Sequence, residues 1–178
     1  GRFPYGKRAV LSAGGNGRRP RKEQFAPGAF RFALDDPERD IHLLLGHSFD
    51  QPLASRKNGT LTFNDTPEAL EFDAVLSVEI QRASWVQDFL AGFKAGLIVG
   101  ISPGFRIPPP EAVPDAEETE EEDPAEGNAL IRTIRAAVLF EMSVVTRPAY
   151  DETAIEERAF APHPERSARQ LAMQRWRA

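Results

Sequence analysis

Residues 129–146 (ALIRTIRAAVLFEMSVVT) form the longest apolar run in the chain and constrain its fold more than any other segment. The run is shorter than the roughly 20 apolar residues needed to cross a bilayer, so its apolar side chains call for a protein core. Read as a strand, it puts Leu139, Glu141, Ser143 and Val145 on one face and Val138, Phe140, Met142 and Val144 on the other. Glu141 is then a lone charge among apolar neighbours, expensive to bury without a partner. Arg132, Arg135 and Arg147 are candidate ion-pair partners. A histidine is the partner that would carry chemistry.

The 178 residues suit one domain with a sizeable core. With no cysteine there is no disulfide framework, thiolate nucleophile or cysteine-ligated metal, a composition that suits a reducing cytosol. The start (Gly1, Arg2, Phe3, Pro4) lacks the plan of a signal peptide, and a chain opening on Gly1 in place of Met is expected to be processed there. A membrane role is not expected.

The net charge of −5 is unevenly spread. Nine acids lie in residues 111–126 with no base among them, and seven bases against one acid lie in residues 1–24. Neither block is interleaved with aromatics as a nucleic-acid module would be, so no specific nucleic-acid binding is expected. Solvated surface is the plain reading of both. Residues 108–128, bounded by Pro108-Pro109-Pro110 and rich in Glu, Asp and Pro, are expected to form a mobile excursion between two strands.

Alternation predicts strands over 7–12, 41–45, 61–63, 70–76 and 97–107, and after the turn at 14–19 an extended return through Phe25 to Phe30 that makes an opening hairpin. The 41–45 strand is apolar on nearly both faces, hence central to a sheet, and it delivers His47 at its end. Asn58-Gly59 predicts a hairpin turn into Leu61 and Phe63. One helix is predicted between Ala83 and Ala95, where Trp85, Phe89, Leu90 and Phe93 recur at helical spacing before Gly96. The expected fold class is mainly β, a β-barrel with flanking helices, spanning residues 1–153, with an Arg-rich tail over 154–178 that is helical or flexible.

Three polar residues occupy or end apolar strands: His47 in LLLGHSFDQPLA, Ser102 in GISPGF and Glu141 in LFEMSVVTRPAYDET. A hydroxyl nucleophile needs a base to take its proton and a third group to hold that base in one tautomer. Serine, histidine and carboxylate supply that set. Each also has an ordinary structural reading: a strand-end histidine, a bend serine, an ion-paired glutamate. Gly100-Ile101-Ser102-Pro103-Gly104 matches the G-x-S-x-G nucleophile elbow, but Pro103 has no N–H for an oxyanion and no helix follows. The order His47, Ser102, Glu141 also differs from that of trypsin-like enzymes.

At these residues the chain resembles the tailed-phage prohead (procapsid maturation) serine proteases, a family whose fold is related to the herpesvirus assembly proteases. The resemblance rests on EQFAPGAF at 23–30, GHSFDQPLA at 46–54, NGTLTF at 58–63, GLIVGISPGF at 96–105 and LFEMSVVTRPAYDET at 139–153. The acidic segment departs from the family pattern in length and composition. The resemblance implies Ser102, His47 and Glu141 as the catalytic group. Gly104, through its N–H, or backbone near Arg147 is a candidate oxyanion donor, and Ser143 is a rival orienting group.

It further implies a serine endopeptidase that works inside the immature capsid, assembled in the bacterial cytoplasm. Its substrate would be the N-terminal scaffold segment of the major capsid protein, or a scaffold protein, and the enzyme itself. Confinement there raises local substrate concentration. Self-association is possible, no cofactor is called for, and no metal is expected because the three histidines lack ligand spacing with nearby acids. Two alternatives are a non-catalytic capsid-assembly or scaffolding component, in which His47, Ser102 and Glu141 would not converge, and an esterase on another fold with a small pocket beside Ser102.

Overall fold

A computed structural model of the protein describes residues 1–156. The expected tail lies mostly in residues 157–178, outside the described residues, as does His163. The described chain is mainly β and arranged in three sheets.

The first sheet has the order β1-β7-β6, with β1 at Arg2–Pro4, β6 at Leu61–Asp65 and β7 at Ala69–Ala74, all antiparallel. The second has the order β2-β3-β10-β9: β2 is Ala9–Ser12, β3 Arg21–Phe25, β9 Glu117–Glu121 and β10 Leu130–Ile134. The third, β5-β4-β11-β8, is built from β4 at His42–Leu45, β5 at Ser48–Ser55, β8 at Gly100–Arg106 and β11 at Val138–Val145. The two most apolar strands, β4 and β11, run parallel at its centre, as a strand buried on both faces should.

The expected barrel is not found, because no sheet among the described residues closes on itself. Asn58-Gly59 shows why. The turn is tight, with Gly59 at φ 76° and the Thr60 N–H bonded to the Ser55 carbonyl at 3.2 Å. Yet it does not make a hairpin: β5 pairs with β4, while β6 pairs with β7. The turn passes the chain from one sheet to another, and the sheets are joined by packing instead of by a continuous ladder. Phe3 of β1, Phe25 of β3 and Phe105 of β8 meet at this junction, with ring centroids 5.2 Å apart for Phe3–Phe25 and 4.9 Å for Phe25–Phe105. Both are edge-on contacts of the kind aromatic quadrupoles favour. Phe30 stacks on Phe25 at 4.9 Å.

Among the described residues three helices flank the sheets: α1 (Arg31–Leu34), α2 (Val78–Gln81) and α3 (Ser84–Lys94). The predicted helix is α3, which buries Val86 and Phe89. It ends in a Schellman motif, Leu97 N–H to Gly92 carbonyl and Gly96 N–H to Phe93 carbonyl, with Gly96 at φ 72°.

The acidic segment also differs from expectation, since Glu117–Glu121 form an edge strand paired antiparallel to β10. Apolar burial is not what holds it, as all five residues are exposed. The basic block and the 132–135 segment supply the partners. Arg19 pairs with Glu121 at 3.0 Å, Lys22 with the buried Glu122 at 2.5 Å, and Arg132 and Arg135 with Glu117 and Glu118, each at 2.5 Å. The acidic block is thus neutralised on the second sheet by cations remote from it in sequence, Arg19 and Lys22, and by Arg132 and Arg135. The Lys22 ammonium, aided by the Ala129 N–H, holds the Glu122 carboxyl below its usual range against the opposing effect of desolvation.

Candidate active site

The turn between β4 and β5 is two residues long, with Leu45 paired to Ser48. Its two central residues, Gly46 and His47, have φ of 58° and 62°. Positive φ at both positions is the mark of the type I′ hairpin, whose twist matches that of the strands it joins. Glycine takes this conformation at no cost. Histidine does not, and left-handed backbone costs roughly 1 kcal/mol in a residue with a Cβ. His47 is therefore held in a strained position, its side chain half-exposed, beside the centre of the sheet.

Beside it stands Glu141. His47 Nδ1 lies 2.7 Å from Glu141 Oε1, and the Glu141 side chain is only 5% exposed. A carboxylate only accepts when ionised, and with Glu141 in that form the contact assigns the proton to Nδ1 and leaves Nε2 as the basic nitrogen. The Ser143 hydroxyl donates to Glu141 Oε2 at 2.7 Å and accepts the His47 backbone N–H at 2.9 Å. Of the alternative partners for Glu141, Arg132 is taken by Glu23 and Glu117, and Arg135 by Glu118. Arg147 is exposed in the bend after β11.

Register places Ser102 on the same face. Ser143 is opposite Ser102 and Glu141 opposite Gly104 across the β11–β8 pair, and residues directly opposed share a side of the sheet. The Ser102 side chain is partly exposed, and its hydroxyl makes no hydrogen bond among the described residues. On the other side of β11, His42 is the register partner of Glu141, and its imidazole is engaged by Asp40 at 3.5 Å.

One sequence expectation is corrected here. A bulge between Leu139 and Glu141 on β11 inserts Phe140, so Leu139 faces Phe105 while Glu141 faces Gly104. Leu139 therefore leaves the face of Glu141 and joins Met142 and Val144 in the core, all fully buried. Unbroken alternation cannot reveal such a bulge.

Gly104 also has a role its sequence context did not announce. A Cβ on Gly104 would fall 2.0 Å from Glu141 Oε1 and 2.6 Å from its Cδ, so the missing side chain is the space the carboxylate occupies. Its N–H is directed by the ladder. The Val144 carbonyl bonds Gly46 on the β4 side, and the Ile101 N–H bonds Thr153 Oγ1 away from β11. Strand alternation then turns the main-chain groups of Ser102 and Gly104 toward β11.

A family model described as caudovirus prohead serine protease matches residues 14–166. The chain belongs to that family. No curated protein and no solved structure matches. Membership makes the protein a serine protease of bacteriophage capsid maturation, and a prohead protease acts on capsid proteins within the procapsid. Among the described residues no helix is long and apolar enough to cross a membrane, and no cluster of His, Cys, Asp or Glu could hold a metal ion.

Proposed function

We propose that this prohead protease cleaves peptide bonds with Ser102 as nucleophile, His47 as general base and then acid, and Glu141 as the group that orients His47. The observation that carries the reading is the 2.7 Å contact between His47 Nδ1 and Glu141 Oε1, on the sheet face that Ser102 shares. Catalysis begins when His47 Nε2 takes the Ser102 proton as Oγ attacks the scissile carbonyl. The imidazolium, stabilised by Glu141, returns the proton to the departing amine, and water then cleaves the acyl-enzyme by the same route. The Nε2–Oγ bond, absent from the free protein, forms in the substrate complex, where catalytic hydrogen bonds commonly come into alignment.

Backbone near Arg147 would donate to the oxyanion, since the Gly104 N–H is turned into the ladder. We take the substrate to be the N-terminal scaffold segment of the major capsid protein or a separate scaffold, with the enzyme's own chain a second target. We also take the sheet arrangement to be related to that of the herpesvirus assembly proteases. The domain would span residues 1–153 with the tail beyond it.

The test is co-expression with the cognate capsid protein, followed by intact-mass spectrometry. Wild type yields a defined N-terminal truncation and the Ser102→Ala variant yields none. Unchanged processing by Ser102→Ala would remove Ser102 from the mechanism.

A further inference from the structure

We infer that Ser143 is a positioning residue for this reaction, locking the His47 turn and the Glu141 carboxylate into one unit. The inference rests on the protease reading above and adds to it a residue that touches neither substrate nor reacting atoms.

The geometry is a closed ring of three hydrogen bonds. The His47 backbone N–H donates to Ser143 Oγ at 2.9 Å, the Ser143 hydroxyl donates to Glu141 Oε2 at 2.7 Å, and His47 Nδ1 meets Glu141 Oε1 at 2.7 Å. A serine hydroxyl has one proton to give, and here it goes to the carboxylate while a lone pair receives the main chain. Ser143 is completely buried, so water cannot stand in for either bond. It thereby grips the base at two points: through its backbone, and through the carboxylate that holds its ring.

The grip matters because of where His47 sits. A non-glycine residue at φ 62° in a two-residue turn is strained and persists only if its surroundings over-determine it. Gly46, immediately before it, offers no side chain to anchor the turn, and the His47 imidazole is half-exposed. Ser143 is the fixed point, set in the middle of an interior strand between β4 and β8. Its hydroxyl also fills one oxygen of Glu141, leaving the other to the imidazole alone, which fixes the carboxylate's rotation.

The test uses the full chain and a fluorophosphonate probe, whose reaction with Ser102 reports nucleophile activation without a known substrate. Ser143→Ala is expected to lower the maximal labelling rate tenfold or more while leaving the probe's half-saturating concentration unchanged. Amide hydrogen exchange is expected to accelerate at Gly46 and His47, with exchange in β4, β8 and β11 unaltered. Labelling of Ser143→Ala at the wild-type rate would overturn the inference. So would a loss of labelling accompanied by faster exchange throughout the third sheet, which marks a merely structural role. Ser102→Ala is run in parallel: if wild type is not labelled at Ser102 at all, it is the protease reading that fails.

Discussion

Gly104 and Glu141 face each other across the β8–β11 ladder so closely that a single methyl on Gly104 would occupy the space of the Glu141 carboxylate, 2.0 Å from Oε1. The glycine therefore serves the site by what it lacks. Gly104→Ala is expected to yield a folded protein whose Glu141 side chain is displaced from His47. Loss of orientation by an ångström costs about a hundredfold in rate. Capsid-protein processing kinetics alongside a thermal melt check this; a well-folded variant with full activity would refute it.

Glu141→Gln keeps the shape and removes the charge. The amide can donate to Nδ1, favouring the tautomer whose Nε2 carries the proton and so cannot act as base. Turnover is expected to fall by about 10³- to 10⁴-fold, with substrate binding little changed. Steady-state kinetics on a peptide spanning the mapped cleavage junction would decide, and a loss confined to KM would contradict the assignment.

Arg132 bridges the buried Glu23 at 3.0 Å and the exposed Glu117 at 2.5 Å. Arg132→Ala strips Glu23 of its cation and leaves it the Tyr150 hydroxyl at 3.2 Å. The expected loss is about 2 kcal/mol, below the range for fully buried pairs because Arg132 is a third exposed. Glu117→Ala, at the exposed end of the same arginine, should cost well under half of that. Urea denaturation of the two variants measures the difference.

Two tyrosines make the fold sensitive to alkali. Burial, reinforced by a hydrogen bond to Asp65, pushes the Tyr5 phenol well above its usual range. Burial and the neighbouring Glu23 carboxylate do the same for Tyr150. Each folded-state value is raised, so the stabilisation is fully present below the unfolded tyrosine value of about 10 and is lost as pH rises above it. Stability should decline steadily above about pH 10, and the decline should be shallower in Tyr5→Phe and Tyr150→Phe. Equal slopes in wild type and variants would show that these phenols are not responsible.

Much of the candidate site's framework could be read from the chain alone. Periodicity located the strands that carry Ser102 and Glu141, the strand that leads into the His47 turn and the helix Ser84–Lys94, because alternation and helical spacing are local properties of a half-buried segment. A carboxylate in the most apolar strand announced that it must have a partner. Long-range pairing was not legible. The bulge that moves Leu139 to the core, the left-handed turn that holds His47 and the cavity that Gly104 leaves for Glu141 all depend on which strands lie side by side. The acidic segment shows the same limit. It buries too little apolar surface to order itself, and Glu117–Glu121 form a strand by pairing with β10, where Arg19, Arg132 and Arg135 meet their carboxylates.

The sequence by itself thus determined which residues had to be buried and which of them could not be buried unaccompanied, since burial cost belongs to the residue. Only the tertiary structure decided who accompanies whom, choosing His47 and Ser143 over three arginines as the partners of Glu141. That choice is made by strand order and register, which are settled between segments far apart in the chain.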